Sequence, residues 1–292
     1  MKYTYYPGCS LEGACTNYDH SLRRVFELLG HELEELDDWN CCGATMYMSV
    51  KETVALSVSA RNLALAEKHG NGPYLVAPCS ACYTTLQKTN RYLRDVPEQR
   101  EHVGAALAEA GLSYDLTVRV RHPLDILVNE IGVDTIARQA SRRLDGLRFA
   151  PYYGCLIVRP EPAFDDQDWP TSLDDLFQAL GAEAVYFPER VRCCGGMLTT
   201  TCREVGDRLT GDVLGSAARN GADVVLTTCP LCQSNLEMHR SQLGGSEGST
   251  IPVLFFTQLL GVALGESTRE MQLDRGLVSP GPRLRELAGA AR

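Results

Sequence analysis

The sequence predicts an α/β protein made of two tandem, pseudo-symmetric βα modules, each with a small, partly parallel sheet flanked by helices. Two observations predict this class: short β-prone segments alternate with helical segments, and one cysteine pattern occurs twice along the chain. The length of 292 residues is sufficient for two domains. We therefore expect residues 1–145, with a set of bridging helices, to form one module, and residues 146–292, with a C-terminal tail, to form the other.

Charge and hydropathy exclude several classes of function. The net charge of −9 leaves no excess of basic residues of the kind that binds nucleic acid. The longest apolar run, residues 251–264, is interrupted by polar residues, so we expect no membrane span. The first seven residues lack the apolar core of a secretory signal. Together these features predict a cytoplasmic protein.

Ten of the twelve cysteines form two copies of one arrangement: a single cysteine, then a vicinal pair, then a CxxC motif. The first quintet consists of Cys9, Cys41, Cys42, Cys79 and Cys82. The second quintet consists of Cys155, Cys193, Cys194, Cys229 and Cys232. Corresponding cysteines are offset by 146 to 152 residues, and a glycine follows each vicinal pair. Tyr5-Tyr6-Pro7-Gly8 before the first cysteine matches Tyr152-Tyr153-Gly154, with one residue fewer in the second copy. This repetition indicates an internal duplication.

The predicted elements follow the same order in both copies. An aromatic, β-prone segment at residues 3–6 precedes the first cysteine. A helix comes next, because Leu22, Val25 and Phe26 recur at helical spacing and Gly30 is placed to end it. The equivalent residues of the second copy are Leu173, Leu176, Phe177, Leu180 and Gly181. Each copy thus begins with a β-strand that leads into a helix.

Further elements complete each copy. A second strand is predicted before each vicinal pair, near residues 32–36 and 184–187, and in the first copy a helix is predicted from Ser49 to Lys68. Each CxxC motif follows a predicted strand and opens a predicted helix. We expect residues 97–143 to be helical and to bridge the copies, and the residues after Glu266 to form an extended tail.

The number of cysteines indicates metal or redox chemistry. The chain has twelve cysteines and no predicted export signal, and a reducing cytoplasm disfavours structural disulfides. A CxxC motif alone fits a thioredoxin-type dithiol, a zinc half-site or a pair of cluster ligands. The vicinal pairs favour a cluster, since neighbouring side chains diverge and can each reach a different iron. Five thiolates exceed the four that hold an ordinary cubane, so each copy predicts an iron–sulfur centre with one additional ligand.

Two alternatives stay open for individual thiols. One member of each vicinal pair could be a buried residue that only fills space. Cys15 and Cys202 have no counterpart in the other copy and are expected to be ordinary thiols.

With these two CCG motifs, the chain resembles the B subunit of heterodisulfide reductase from Tyr5 to Leu264. The resemblance implies two CCG domains, each holding a noncubane [4Fe-4S] cluster through its quintet, with the two clusters facing each other across the site of disulfide cleavage. It also implies two partner subunits, a C-type subunit with cubane [4Fe-4S] clusters and an A-type flavin subunit. All ten cysteines of the quintets are cluster ligands on this interpretation.

The resemblance further implies that the chain cleaves or forms a disulfide or persulfide bond, with Cys41 and Cys193 in direct catalytic roles. Residues 38–49 resemble the bacterial members of sulfur oxidation, whose substrate is a lipoyl carrier protein. His122 is the candidate proton donor, because histidine titrates near neutrality; the alternative is a helix-capping histidine satisfied by backbone groups. Alternative functions are a passive electron-transfer subunit of a lactate, glycolate or succinate dehydrogenase, and a zinc-stabilised scaffold.

Overall fold

The computed structural model describes residues 1–44, 50–159, 164–240, 248 and 250–289. The strands are β1 (Lys2–Tyr5), β2 (Glu32–Glu35), β3 (Tyr74–Val76), β4 (Arg119–Arg121), β5 (Arg148–Tyr152), β6 (Glu183–Ala184), β7 (Val224–Thr227) and β8 (Val253–Phe255). The helices of the first half are α1 (Gly8–Glu12), α2 (Thr16–Leu28), α3 (Glu52–His69), α4 (Ser80–Asp95), α5 (Pro97–Glu109), α6 (Pro123–Asp125), a π-helix (Ile126–Gly132) and α7 (Val133–Gln139). Those of the second half are α8 (Ser172–Ala179), α9 (Leu198–Thr201), α10 (Arg203–Arg219), α11 (Pro230–Met238), α12 (Phe256–Ala263), a 3-10 helix (Leu273–Arg275) and α13 (Pro282–Gly289).

The strands form two four-stranded sheets with the same topology. Their orders are β2-β1-β3-β4 and β6-β5-β7-β8, and every pair of neighbouring strands is parallel. Parallel neighbours require crossover connections, which the intervening helices supply. The predicted α/β class with two duplicated modules is therefore confirmed, and the sheets are wholly rather than partly parallel. The division at residue 145 stays a prediction.

Two expectations about the connections are wrong, and one strand has no predicted counterpart. The segment 97–143 is not helical throughout, since it contains β4, which pairs with β3. Strand β8, which the sequence also does not predict, lies within the apolar run of residues 251–264 and pairs with β7 in the sheet of the second module. The tail after Glu266 contains a 3-10 helix and α13. Strands β4 and β8 have three residues each, too few to show a hydrophobic period, and unlike β3 they precede no cysteine motif that marks them in the sequence. Helix α3 begins at Glu52, and Ser49 lies outside the described residues.

One hydrophobic core extends across both modules. Tyr5 and Phe26 of the first module, and Phe149, Phe177 and Phe255 of the second, belong to a single cluster of fully buried side chains. Burial of each such ring contributes about 1.5–3 kcal/mol relative to leaving it exposed. The two sheets are therefore packed against each other through a shared interior.

Helices α2 and α12 carry much of the contact between the modules. The Tyr18 ring on α2 stacks on Phe255 with a centroid distance of 4.2 Å and an interplanar angle of 3°. The hydroxyl groups of Ser21 and Thr257 hydrogen bond at 2.7 Å in the same buried layer. These contacts set the position of one sheet relative to the other. Within the described ranges, no helix combines the length and apolar character needed to cross a bilayer.

Candidate functional site

The cysteines of each quintet follow the carboxyl ends of three strands. In the first module, Cys9 comes after β1, the vicinal pair after β2 and the CxxC motif after β3. The second module repeats this arrangement after β5, β6 and β7. In each sheet the first of these strands lies between the other two. The second strand therefore pairs with one edge of the first strand, and the third strand pairs with its other edge. The carboxyl edge at such a switch point is the usual ligand-binding crevice of an open parallel sheet.

A glycine before the first cysteine lets the sulfur of the CxxC motif approach the backbone. Gly8 and Gly154 both have φ +71°, a left-handed conformation that favours glycine. A Cβ atom at Gly154 would lie 2.8 Å from the sulfur of Cys232, and one at Gly8 would lie 3.2 Å from that of Cys82. The two loops therefore match without a gap, which corrects the expectation of one residue fewer in the second copy.

The thiols of the two quintets form one electrostatically linked series that crosses from one module to the other. Neighbours in this series influence each other's pKa in the order Cys41, Cys42, Cys82, Cys79, Cys229, Cys232, Cys194, Cys193 and Cys155. The Cys42 and Cys82 sulfurs are 3.3 Å apart. Cys9 lies close enough to act electrostatically on Cys41. Among the described residues, no three His, Cys, Asp or Glu side chains converge as they would around a single metal ion.

The series is exposed at one end and buried in its middle. Cys9 and Cys41 are exposed, and Cys155 and Cys193 are partly buried. The remaining six members of the quintets are buried. The buried member of each vicinal pair also makes a specific contact: the Cys42 sulfur lies 3.3 Å from that of Cys82, and the Cys194 sulfur accepts from Gly196 and Asn235. These contacts favour a ligand role for both residues, which stays a prediction.

In each vicinal pair, interactions within the series lower the pKa of one thiol and raise that of the other. Hydrogen bonds from Cys41 and Cys82 lower the pKa of Cys42 to about 4. Hydrogen bonds from Cys155 and Cys194 lower the pKa of Cys193 to about 2. The thiolate is the form of cysteine that binds metal, so each quintet presents a metal-binding sulfur at neutral pH.

Two tyrosines brace the loops that carry the vicinal pairs. The hydroxyl of Tyr6 donates to the carbonyl oxygen of Asn40 at 2.8 Å, and that of Tyr152 donates to the carbonyl oxygen of Arg192 at 2.7 Å. Asn40 and Arg192 directly precede the two vicinal pairs. The braces are equivalent in the two modules, and the repeated aromatic segment before each first cysteine is their signal in the sequence.

Sequence reasoning missed Asn235, which supports the second quintet. Its amide nitrogen lies 3.4 Å from the sulfur of Cys194 and 3.0 Å from the carbonyl oxygen of Gly196. The backbone N–H of Gly196 donates to the same sulfur at 3.4 Å. Asn235 lies three residues after Cys232 on α11, so the two side chains share one face of the helix, which is the signal that could have identified it.

His122 lies at the carboxyl end of β4 and is fully buried between the modules. Its Nδ1 accepts the backbone N–H of Leu124 at 3.1 Å, and its Nε2 lies 2.9 Å from the carbonyl oxygen of Pro78. Burial lowers the pKa of His122 to about 4. This shift disfavours a protonated ring at neutrality, and the contacts match the alternative of a capping histidine bonded to backbone groups; the role of His122 as a proton donor stays a prediction.

The two cysteines outside the quintets lie in different surroundings. Cys15 is buried at the module boundary, where its sulfur lies 3.8 Å from the hydroxyl of Ser234 and 4.0 Å from the carbonyl oxygen of Pro230. Burial raises the pKa of Cys15, which keeps it a thiol. Cys202 is exposed and precedes α10.

The fold is similar to that of a solved protein. A crystal structure of a hypothetical protein from Helicobacter pylori matches with a TM-score of 0.77 at 18% identity, over 95% of this chain. The chain spans 52% of that protein, about half of its length. This likeness supports the fold alone.

Comparison of sequences identifies the family. The chain is 32% identical to the 8-methylmenaquinol:fumarate reductase membrane anchor subunit of Wolinella succinogenes, over 95% of this chain and 97% of that protein. It is 30% identical to a protein of Archaeoglobus profundus that is named as similar to the B subunit of heterodisulfide reductase, over 91% of each chain. It is 28% identical to the B subunit of the ferredoxin/F(420)H(2)-dependent CoB-CoM heterodisulfide reductase of Methanosarcina acetivorans, over 95% of this chain and 94% of that protein. Residues 3–87 and 149–237 match the model of the CCG cysteine-rich domain. The resemblance to the B subunit of heterodisulfide reductase is thus confirmed, and the chain belongs to the CCG cysteine-rich domain family, two copies of which make up most of its length.

Proposed function

We propose that the chain is the catalytic iron–sulfur subunit of a heterodisulfide-reductase-like complex, an oxidoreductase that cleaves or forms a disulfide or persulfide bond. The observation that carries this proposal is the meeting of the two CxxC loops, because Tyr18 and His122 each contact the carbonyl oxygens that directly precede Cys79 and Cys229. A reaction at a disulfide exchanges two electrons, and two adjacent one-electron centres would match that number. Two sites on opposite outer faces of the molecule could not both act on one disulfide.

The donor set suits iron–sulfur clusters. Each quintet supplies only soft thiolate ligands, which favour iron–sulfur centres over oxygen-seeking metals. We propose that each quintet holds one noncubane [4Fe-4S] cluster. Such a cluster, when bound, supplies one-electron transfer and a Lewis-acidic iron for substrate sulfur. The glycine at position 8 or 154 keeps the backbone clear of the ligand sulfur beside it.

The two ends of the sulfur series are more accessible than its buried middle and indicate where substrate would reach each centre. Cys41 is exposed and Cys193 is partly buried, whereas their vicinal partners are buried. We therefore propose Cys41 and Cys193 as the ligands nearest to the substrate, with Cys42 and Cys194 anchoring each pair. The substrate class is a disulfide or a sulfur-loaded lipoyl carrier protein, as in the bacterial proteins that residues 38–49 resemble.

The proposal includes partners and a compartment. We propose that a C-type subunit with cubane [4Fe-4S] clusters and an A-type flavin subunit relay electrons to this chain. The relatives named as heterodisulfide reductase subunits support an assembly of several chains. All twelve cysteines are free, which fits a reducing compartment such as the cytoplasm.

A second candidate is an electron-transfer subunit that never contacts a sulfur substrate. The relative from Wolinella succinogenes favours it, because that protein is named as a subunit of a fumarate reductase. In this role the two quintets would pass electrons along the series of sulfur contacts toward a quinone-linked or flavin-linked partner.

Anaerobic elemental analysis with EPR spectroscopy tests both candidates. Two clusters require about eight iron atoms and about eight acid-labile sulfides per chain. Zinc without sulfide would overturn both in favour of a zinc-stabilised scaffold. An EPR signal that shifts on addition of a disulfide or persulfide supports the catalytic role. A signal that these compounds leave unchanged, from centres that a quinol-linked donor reduces, would favour the electron-transfer role.

A further inference from the structure

Two side chains of the first module contact the same two backbone carbonyl oxygens, one from each module. The Nε2 atom of His122 lies 2.9 Å from the oxygen of Pro78 and 3.3 Å from that of Thr228. The hydroxyl of Tyr18 lies 3.3 Å from the oxygen of Thr228 and 3.5 Å from that of Pro78. Pro78 and Thr228 directly precede the first cysteine of each CxxC motif. The four groups therefore lie where the two CxxC loops meet.

Both donors are held in place by their surroundings. The Leu124 N–H bonds to Nδ1 of His122 at 3.1 Å, so the ring proton is on Nε2, which faces the two carbonyl groups. The Phe164 ring lies parallel to the His122 ring, and Phe255 stacks on Tyr18. Tyr18 and His122 are fully buried, where an unpaired carbonyl group would be costly. The contacts are therefore specific, not accidental.

We propose that Tyr18 and His122 form a polar clamp that sets the spacing between the two CxxC loops. Each donor is shared between a carbonyl of one module and a carbonyl of the other, so separation of the loops weakens both contacts at once. The clamp makes Tyr18 and His122 positioning residues. Its consequence for two metal centres, that their spacing and electronic interaction depend on these side chains, rests on the proposed function.

The metal-free full-length chain provides a direct test. Mild oxidation with diamide converts neighbouring thiols to disulfides, the two electrons passing to the diamide. Mass spectrometry then gives the ratio of the Cys79–Cys229 disulfide, which joins the modules, to the Cys42–Cys82 disulfide, which lies within one. Because Cys42 and Cys82 belong to one module, their disulfide serves as the internal standard.

The double variant Tyr18→Phe, His122→Leu should lower this ratio about tenfold, because two buried hydrogen-bond donors are lost. Tyr18→Phe alone should lower it by a smaller factor, since the His122 donor is kept. His122→Gln alone retains an N–H donor at this position, so its ratio should stay close to that of the wild-type chain. Tyr3→Phe is the matched control, because Tyr3 is a buried tyrosine whose hydroxyl bonds to Glu130 instead.

An unchanged ratio in the folded double variant overturns the clamp. Where the double variant fails to fold, Tyr18→Phe decides the same question, because its ratio must fall below that of Tyr3→Phe if the clamp exists. In the reconstituted protein, the magnetic interaction between the two centres should weaken in the double variant at equal iron content. A chain that takes up no iron would refute the proposed function while the disulfide ratio still decides on the clamp.

Discussion

The thiols of Cys79 and Cys229, which come from different modules, are both buried where the two CxxC loops meet, next to the carbonyl oxygens that Tyr18 and His122 contact. Each residue is the N-cap of the helix that its CxxC motif opens, Cys79 for α4 and Cys229 for α11. The amino ends of both helices therefore point at one place, where their backbone N–H groups favour negatively charged sulfur. The duplication has thus brought two equivalent loops face to face.

Substitution of the more accessible member of each vicinal pair separates catalysis from cofactor retention. In Cys41→Ser and Cys193→Ser, four thiolates of the affected quintet remain, so iron content should be mostly retained. Activity toward a disulfide or persulfide should fall at least about tenfold, because in the proposed function the altered ligand is the one nearest to the substrate. Activity and iron per chain are measured on the same samples. Cys202→Ser, an exposed cysteine outside the quintets, is the control; wild-type activity in both ligand variants would contradict the direct role.

The glycine beside the second CxxC motif should be needed for cofactor retention. Gly154→Ala forces a side chain into a left-handed conformation and places Cβ 2.8 Å from the sulfur of Cys232. Gly30→Ala is a matched control, since Gly30 has φ +78° and nothing within 4 Å of the added atom. Both variants should lose roughly 1–2 kcal/mol of unfolding free energy from the backbone conformation. Only Gly154→Ala should lose iron, and equal iron content in the two variants would refute the role of the close approach.

Asn235 should tune the reduction potential of the second centre. Asn235→Leu removes the amide that lies 3.4 Å from the Cys194 sulfur and 3.0 Å from the Gly196 oxygen. The loss of one hydrogen bond of about 1 kcal/mol corresponds to a decrease of roughly 40 mV in a one-electron potential. EPR-monitored redox titration measures this shift. Asn220→Leu, at the opposite edge of the same sheet where Asn220 contacts Arg148, should leave the potential unchanged.

Acid should destabilise the protein partly through His122. Burial lowers its pKa from 6.5 in the unfolded chain to about 4 in the folded one, despite opposing effects of Cys229 and Asp125. The unfolded chain therefore binds the proton more readily, so this contribution is complete above pH 6.5 and is lost as the pH falls toward 4. The loss amounts to about 3 kcal/mol at most.

Denaturant unfolding of the full chain at a series of pH values between about 4 and 7 checks this dependence. In His122→Gln, the fall in stability with acid should become shallower than in the wild-type chain. His102→Gln, which changes an exposed histidine, should keep the wild-type slope. Parallel curves for all three proteins would show that His122 does not control the acid limb.

The sequence by itself determined the duplication, the α/β class and both quintets. Local signals carry this information, because a cysteine after a β-prone segment and before a helix is placed by the strand and the helix next to it. Corresponding cysteines of the two copies are offset by nearly the same number of residues, because both copies have the same order of strands and helices. The braces from Tyr6 and Tyr152 follow the same logic, since both residues belong to the repeated aromatic segment.

Only the tertiary structure decided how the two halves meet. Strand β4 has no hydrophobic period of its own and forms because β3 offers unpaired backbone groups beside it. Burial lowers the pKa of His122, although hydrogen bonds to the oxygens of Pro78 and Thr228, which are distant in sequence, act in the opposite direction. The meeting of the two CxxC loops requires both sheets to share one core. Such contacts depend on packing between surfaces, and no spacing within either copy specifies them.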